Sequence, residues 1–212
     1  VPSHCVPYQA GIVMRRFLLI GSRAQKQGKL NLNDLAGAAG RLDVLIRGLM
    51  AGLLTSHGIR ENVEVFLALN GGPGPQRILK FSGSEIKGLH ANARSVAGII
   101  GEVISEPMPP KGRWAERRNG VYDSTGTVED LMASFDHSWV QLDAEGTPFW
   151  EYTRSQKEID SIGFILGDDR VLDEKYAMPI SLGSEWLQGS ACITICHFIL
   201  DMEPSIGIEP NR

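Results

Sequence analysis

Short apolar runs, each ending at a glycine or a polar residue, recur along the chain. Such runs are typical of β-strands buried within a sheet. The run at 63–69 alternates at first and then becomes continuously apolar, as expected of a buried strand. The pattern predicts strands at 15–22, 63–69, 78–81, 139–142, 163–166 and 178–182.

A leucine-rich stripe lies between the first two predicted strands. Its apolar residues, at 42–54, recur at intervals of three and four positions, which is the pattern of one helix face. Asn33-Asp34 is a candidate N-cap, so we expect this helix to follow it. His57-Gly58 is the expected end, since glycine is common just after a helix.

Two further segments have helical spacing, at 92–104 and 187–200. The second is apolar almost all round. A helix that is apolar on every side is buried on every side, so we expect it to lie deep in the domain or against another subunit. Strands that alternate with helices predict an α/β fold with a largely parallel sheet.

The 212 residues suit one compact domain, which we place at 14–202. Residues 1–13 lack the order of a signal peptide, and we interpret them as an extension or an artificial remnant before a natural start at Met14. The tail at 203–212 is expected to be poorly ordered. The proline-rich and then basic stretch at 105–119 is the best candidate for a linker or a subdomain boundary.

Composition narrows the classes of protein. There is no run of about eighteen apolar residues, so we predict no membrane span. Three cysteines form an odd set, which argues against a disulfide framework and favours a reducing, cytoplasmic location. The net charge of −4 does not by itself indicate a nucleic-acid binder, although local basic patches stay open.

Motifs for other chemistries are incomplete. The glycine cluster at 71–75 contains two prolines and precedes a strand, so it predicts a turn rather than a dinucleotide site. Neither a phosphate-binding loop nor a nucleophile elbow occurs in the sequence. Cys192, Cys196 and His197 lack the further ligands of a zinc site, which favours buried or pocket-lining cysteines and no metal. Asp168-Asp169 fits a solvated turn better than a metal site.

Four stretches together resemble the tRNA pseudouridine N1-methyltransferases of the TrmY family. The most specific is 30–45 (LNLNDLAGAAGRLDVL), which continues to 56–63 (SHGIRENV). The other stretches are 81–87 with Arg94-Ser95, 165–168, and 180–183 with 192–195. Their order and spacing match from Met14 to Asp201, nearly the whole chain.

The resemblance implies a SPOUT-type α/β fold with a deep C-terminal trefoil knot, in a homodimer. It also implies S-adenosylmethionine as the cofactor, bound in the knot loops. Carried over by position, the cofactor contacts are Leu142, Gly167, Ile180, Leu182, Gly183 and Cys192. Three of these positions follow predicted strands, where ligands of parallel α/β sheets bind. Simple turn glycines at Gly167 and Gly183 stay open as the alternative.

Methyl transfer to N1 of pseudouridine requires in-line placement and a route for the N1 proton. We predict that Asp43 and Arg41 perform this task. A carboxylate, or a carbonyl group polarised by an arginine, can help N1 to lose its proton. Arg47 and Arg60 are predicted to contact phosphates of the RNA, which we expect to be tRNA. Asp43 and Arg47 are also spaced i, i+4, so an exposed helix pair is an alternative.

The sequence departs from the family pattern before the last helix. Ser184 stands where proline is frequent, and Gln188 and Ala191 lie in a region that contains histidine in archaeal members. These differences resemble the bacterial branch and affect the RNA site rather than the cofactor segments. A methyltransferase for another RNA base or ribosomal RNA, and a non-catalytic RNA-binding relative, therefore stay open as alternatives.

Overall fold

The computed structural model describes residues 13–156 and 159–202. The predicted tail, and residues 1–12 of the predicted extension, lie outside the described residues. The strands in this part of the chain are β1 (Met14–Gln25), β2 (Val63–Gly71), β3 (Arg77–Ser82), β4 (Ala115–Arg118), β5 (Val121–Thr125), β6 (Ser138–Pro148), β7 (Ser161–Gly167) and β8 (Met178–Ser181). The helices are α1 (Leu42–Leu53), α2 (Ala93–Ser105), α3 (Val128–Ala133), α4 (Phe149–Ser155) and α5 (Gly189–Met202).

The strands form one mixed sheet, which confirms the predicted α/β class. Its strand order is β4-β5-β3-β2-β1-β7-β6-β8. The neighbouring strands β2, β1, β7, β6 and β8 pair in parallel. Beyond β2, the strands β3, β5 and β4 extend the sheet through antiparallel pairs. Because parallel strands end at the same edge of a sheet, the carboxyl ends of β1, β7, β6 and β8 meet there.

The main core contains buried side chains of the sheet and of α1, α2, α4 and α5. A smaller cluster contains alternate residues of the central strands together with two residues of α3. Helix α1 lies close to the sheet because two of its glycines face the strands. A Cβ atom at Gly48 would lie 2.1 Å from the side chain of Leu19, and one at Gly52 would lie 2.7 Å from Val65.

Helix α1 begins at Leu42 and not directly after Asn33-Asp34, so the predicted start was wrong. Gly40 and Arg41 have φ angles of 65° and 67°. These left-handed conformations interrupt any right-handed helix before Leu42. Asp34 instead accepts hydrogen bonds from two backbone N–H groups of the turn that follows it.

The predicted end of α1 at His57-Gly58 was also wrong. The helix ends at Leu53, and Leu54 then pairs with Ile59 in an isolated antiparallel bridge. The chain must leave the helix early because this bridge turns it back toward β2. Gly58 belongs to the reversal rather than to a helix cap.

The stretch at 105–119 is not a subdomain boundary. It contains β4, which pairs with β5 in the same sheet. The fully buried Arg77 of β3 donates to the equally buried Asp123 of β5 and to carbonyl groups at the end of α2. Arg117 of β4 donates to the same Asp123 carboxylate. These compensating charges make β4 continuous with the main domain.

Helix α5 is buried on one side only. Ile193, Cys196 and Leu200 are buried, whereas Phe198 is 63% exposed and Met202 is 38% exposed. The expectation of burial on every side is therefore not met within one chain. Contact with another subunit, the alternative, stays a prediction.

Candidate functional site

A cavity of about 530 Å³ opens at the carboxyl ends of β6, β7 and β8. The strands contribute Gln141, Leu142 and Gly167, the first turn of α1 contributes Val44, and the loop before α5 closes another side. This volume lies within the usual range of small-molecule sites, about 300–1,000 Å³. The position also follows the general rule for ligands of α/β sheets.

All six residues that the resemblance assigns to the cofactor line this cavity: Leu142, Gly167, Ile180, Leu182, Gly183 and Cys192. A Cβ atom at Gly167, the last residue of β7, would lie 2.7 Å from the carbonyl oxygen of Arg170. Gly183 has a φ of 142°, which residues with a side chain rarely adopt. Both glycines therefore occupy turns, and these turns form the cavity wall.

An irregularity in β6 provides another wall. Leu142 and Thr147 both pair with Ile180 of β8, so the residues between them leave the ladder as a bulge. A Cβ atom at Gly146 would lie 2.6 Å from the backbone nitrogen of Ile180, which makes glycine necessary at this close approach. Residues 143–144 of the bulge line the cavity.

Side chains of alternating charge form a row along the rim of the cavity beside the start of α1. Arg41 and Arg47 both donate to Asp43, at 3.0 and 2.8 Å. Arg41 and Arg23 also donate to Asp169, which follows β7. Arg41 and Arg47 line the cavity themselves. The i, i+4 pair of Asp43 and Arg47 therefore exists, but it is part of a larger network that holds Arg41 in place.

This network determines the acidity of Asp43. Burial alone would raise the pKa of its carboxyl group, but the hydrogen bonds from Arg41 and Arg47 outweigh burial and lower the pKa. A carboxylate with a lowered pKa is a weak base at neutral pH. Asp43 is therefore better suited to orient Arg41 than to remove a proton.

Arg60 lies at the end of α1 that is remote from the cavity. Its guanidinium donates to Asp201 of α5 at 2.8 Å, and the buried Arg15 contacts the same carboxylate at 2.7 Å. Arg15 also donates to Nδ1 of His197, whose Nε2 donates to a carbonyl oxygen of α1. The structure does not bring Arg60 together with the cavity residues. Its contact joins α5 to the connection between α1 and β2, and its role in RNA binding stays a prediction.

Several cavity residues were missed from the sequence. Gln141 is buried and accepts a hydrogen bond from the backbone of the β7–β8 loop. Arg170 and Trp186 come from the loops after β7 and β8. Asp168 also lines the cavity, and it accepts hydrogen bonds from the backbone and hydroxyl of Ser22. Two signals were available for Asp168: its position after a predicted strand, at the ligand-binding edge of the sheet, and its place in the stretch at 165–168 that resembles the family.

The two described cysteines occupy the places that the sequence predicted. Cys196 is buried and Cys192 lines the cavity, and burial raises the pKa of both thiols. In the described ranges, no three His, Cys, Asp or Glu side chains are grouped so that they could hold a metal ion. The helices described there are too short or too polar to cross a membrane.

Residues 14–204 match the family described as "Putative SAM-dependent RNA methyltransferase". The chain is 35% identical over 196 residues to a tRNA (pseudouridine(54)-N(1))-methyltransferase of Methanocella arvoryzae, and the match covers 89% of this chain and 99% of that protein. A protein of the same name from Thermococcus gammatolerans is 33% identical over 204 residues, which cover 91% of this chain and 99% of that protein.

The fold is similar to that of Archaeoglobus fulgidus Nep1 in a crystal structure with S-adenosylhomocysteine. The TM-score is 0.61, and the match covers 91% of this chain and 98% of that chain. At 12% identity, this likeness shows a shared fold alone. The two sequence relatives are archaeal, so they do not support a place in the bacterial branch. Because the family match spans residues 14–204 of this chain and both relatives match over nearly their full length, the chain belongs to the TrmY family of RNA methyltransferases.

Proposed function

We propose that this chain is an S-adenosylmethionine-dependent enzyme that methylates N1 of pseudouridine in tRNA. The observation that carries the proposal is the cavity, where the six residues assigned to the cofactor meet Arg41. The names of the sequence relatives support the reaction and the RNA. Nep1, which shares the fold, was crystallised with the demethylated form of this cofactor.

The residues of the cavity fit a nucleoside that carries a sulfonium group. Gly183 leaves open space where a side chain would stand, so a ribose can approach the backbone closely. Gly167 allows the tight turn that brings the loop after β7 to the cavity. Asp143 adds a carboxylate that favours a positive charge nearby, and Cys192 adds a neutral thiol. Apolar walls that can contact an adenine come from Leu142, Ile180 and Leu182.

When bound, the cofactor supplies an electrophilic methyl group, so the chain needs mainly to place the base and manage the N1 proton. Arg41 is suited to the second task because its guanidinium lines the cavity and stays charged. By donating to the carbonyl oxygen next to N1, it stabilises the negative charge that develops as N1 releases its proton to solvent water. Asp43 orients Arg41, and Arg47 is placed to bind an RNA phosphate.

The C-terminal trefoil knot is part of this proposal. Its support is the similarity to Nep1 together with the order of the strands. In the sheet, β6 lies between β7 and β8, so the chain leaves β7, passes β6 and returns on its far side before α5 begins. Such a crossing allows a C-terminal segment to thread through an earlier loop. An experimental structure with the C-terminal segment traced tests this part.

A homodimer that forms through α5 is also proposed. Its support is the exposed apolar side chains Phe198 and Met202, since large apolar patches mark interaction surfaces. Phe198→Asp should shift the mass in light scattering from dimer to monomer, whereas Trp150→Asp, at another exposed aromatic residue, in α4, should not. A monomeric wild-type protein would contradict the dimer. A cytoplasmic location completes the proposal, because free thiols persist in a reducing compartment.

Cofactor binding is the first test of the function. Isothermal titration with S-adenosylmethionine should show saturable binding to the wild-type protein. Gly167→Ala should weaken it, because the added methyl group meets the Arg170 carbonyl and displaces the loop after β7. Gly98→Ala is the matched control, since nothing lies within 4 Å of its added methyl group. If the wild-type protein binds no cofactor, a non-catalytic RNA-binding role replaces the proposal.

The product is the second test. The protein should convert pseudouridine in tRNA to N1-methylpseudouridine, as detected by mass spectrometry of digested nucleosides. A matched tRNA that contains uridine instead of pseudouridine should remain unmethylated. Methylation of another base, or of ribosomal RNA alone, would establish the alternative substrate.

A further inference from the structure

The rim of the cavity carries an aromatic side chain, Trp186, that is not among the six residues assigned to the cofactor. Trp186 is 66% exposed and lines the cavity from the loop between β8 and α5. Trp114 and Trp139 contact other aromatic rings, whereas Trp186 makes no such contact within the described ranges. An indole with an open face at a ligand site is suited to stack on a planar partner.

The same rim carries an arginine with uncommitted donors. Arg23, Arg41 and Arg47 each pair with a carboxylate. Arg170 is exposed and lines the cavity, and among residues 13–156 and 159–202 its guanidinium forms no ion pair. A free guanidinium fork is well matched to a phosphate group.

We infer that Trp186 stacks on the RNA base that enters the cavity and that Arg170 binds a neighbouring phosphate. This inference rests on the proposed function and adds how the substrate is held. A base must leave its stack to reach a buried reaction centre, and an aromatic side chain replaces the lost stacking. The net charge of −4 provides little general attraction for RNA, so a local cation at the rim carries more of the binding.

Binding of pseudouridine-containing tRNA, measured by fluorescence anisotropy, tests Trp186 independently of methyl transfer. Trp186→Ala should weaken tRNA binding about 10- to 100-fold and leave the cofactor dissociation constant unchanged. Trp186→Phe should retain most of the affinity, because a ring remains for stacking. Trp114→Ala is the control, since Trp114 is also exposed but lies beside the opposite edge of the sheet.

Arg170 has a separate readout. A lost phosphate contact reduces the slope of log affinity against log salt by about 0.7–0.9, and Arg170→Ala should show this reduction. Arg113→Ala, at an exposed arginine next to Trp114, should not.

Three outcomes would overturn the inference: unchanged affinity in Trp186→Ala, an unchanged salt slope in Arg170→Ala, or a loss of tRNA binding that follows dissociation of a dimer in light scattering. Any of these would leave methyl transfer by the wild-type protein intact. A wild-type protein that binds tRNA through Trp186 but does not methylate it would instead contradict the proposed function alone.

Discussion

Arg41 combines a strained backbone with strong side-chain contacts, and mutation can separate the two. Its φ of 67° costs a residue with a side chain about 1–2 kcal/mol, whereas glycine adopts this angle freely. Its ion pairs with Asp43 and Asp169 join partly exposed groups, so each contributes about 0.5–1 kcal/mol. Arg41→Ala loses the pairs and keeps the strain, so its unfolding free energy should fall by about 1–2 kcal/mol. Arg41→Gly also relieves the strain and should stay within about 1 kcal/mol of the wild-type value.

Thermal unfolding and methyl-transfer kinetics on the same two variants give the result. For a domain of this size, 1 kcal/mol corresponds to about 2–4 °C in Tm, so the alanine variant should melt clearly below the glycine variant. Both variants lack the guanidinium, and both should lose about 100-fold or more in kcat. A glycine variant no more stable than the alanine variant would refute the argument from strain. A stable glycine variant with the wild-type kcat would refute the catalytic role of Arg41.

Three further predictions concern stability. Burial lowers the pKa of His197 to about 4, below its unfolded value of about 6.5. The contribution of the neutral imidazole to the unfolding free energy is therefore fully present above about pH 6.5 and is lost as the pH falls from there toward 4. The expected loss at pH 5 is about 2 kcal/mol. Urea unfolding at pH 7 and pH 5 measures this loss, and His197→Gln should remove most of it. Gly48→Ala should lower the unfolding free energy by about 1–3 kcal/mol through overpacking against the sheet. Gly98→Ala should raise it by about 0.5–1 kcal/mol through helix propensity. Equal Tm values for the two variants would contradict this contrast. Arg77→Met leaves the buried Asp123 with one arginine and should cost about 3–5 kcal/mol in denaturant unfolding, and adding Asp123→Leu should recover part of that loss.

The hydrophobic pattern was sufficient to locate the central strands and the buried face of α1. Every strand predicted from the sequence occurs, and the leucine stripe at 42–54 packs on the sheet. The pattern failed for β4 and β5, which are short and polar. These two strands depend on the buried pair of Arg77 and Asp123, residues 46 positions apart. A local window of sequence contains no information about that pairing.

The family resemblance pointed to residues of the cavity wall, such as Gly167 and Gly183, but not to the geometry of the rim. Only the tertiary structure decided that Arg41 faces the cavity and that Arg60 does not. Arg41 is placed by Asp169, which lies 128 positions away along the chain, and by a left-handed backbone angle that the preceding turn imposes. Hydrophobic periodicity reports what each segment buries, because burial repeats with the period of the local structure. The meeting of several strand ends at one cavity follows from parallel pairing between distant segments, and it exists only once the whole sheet has formed.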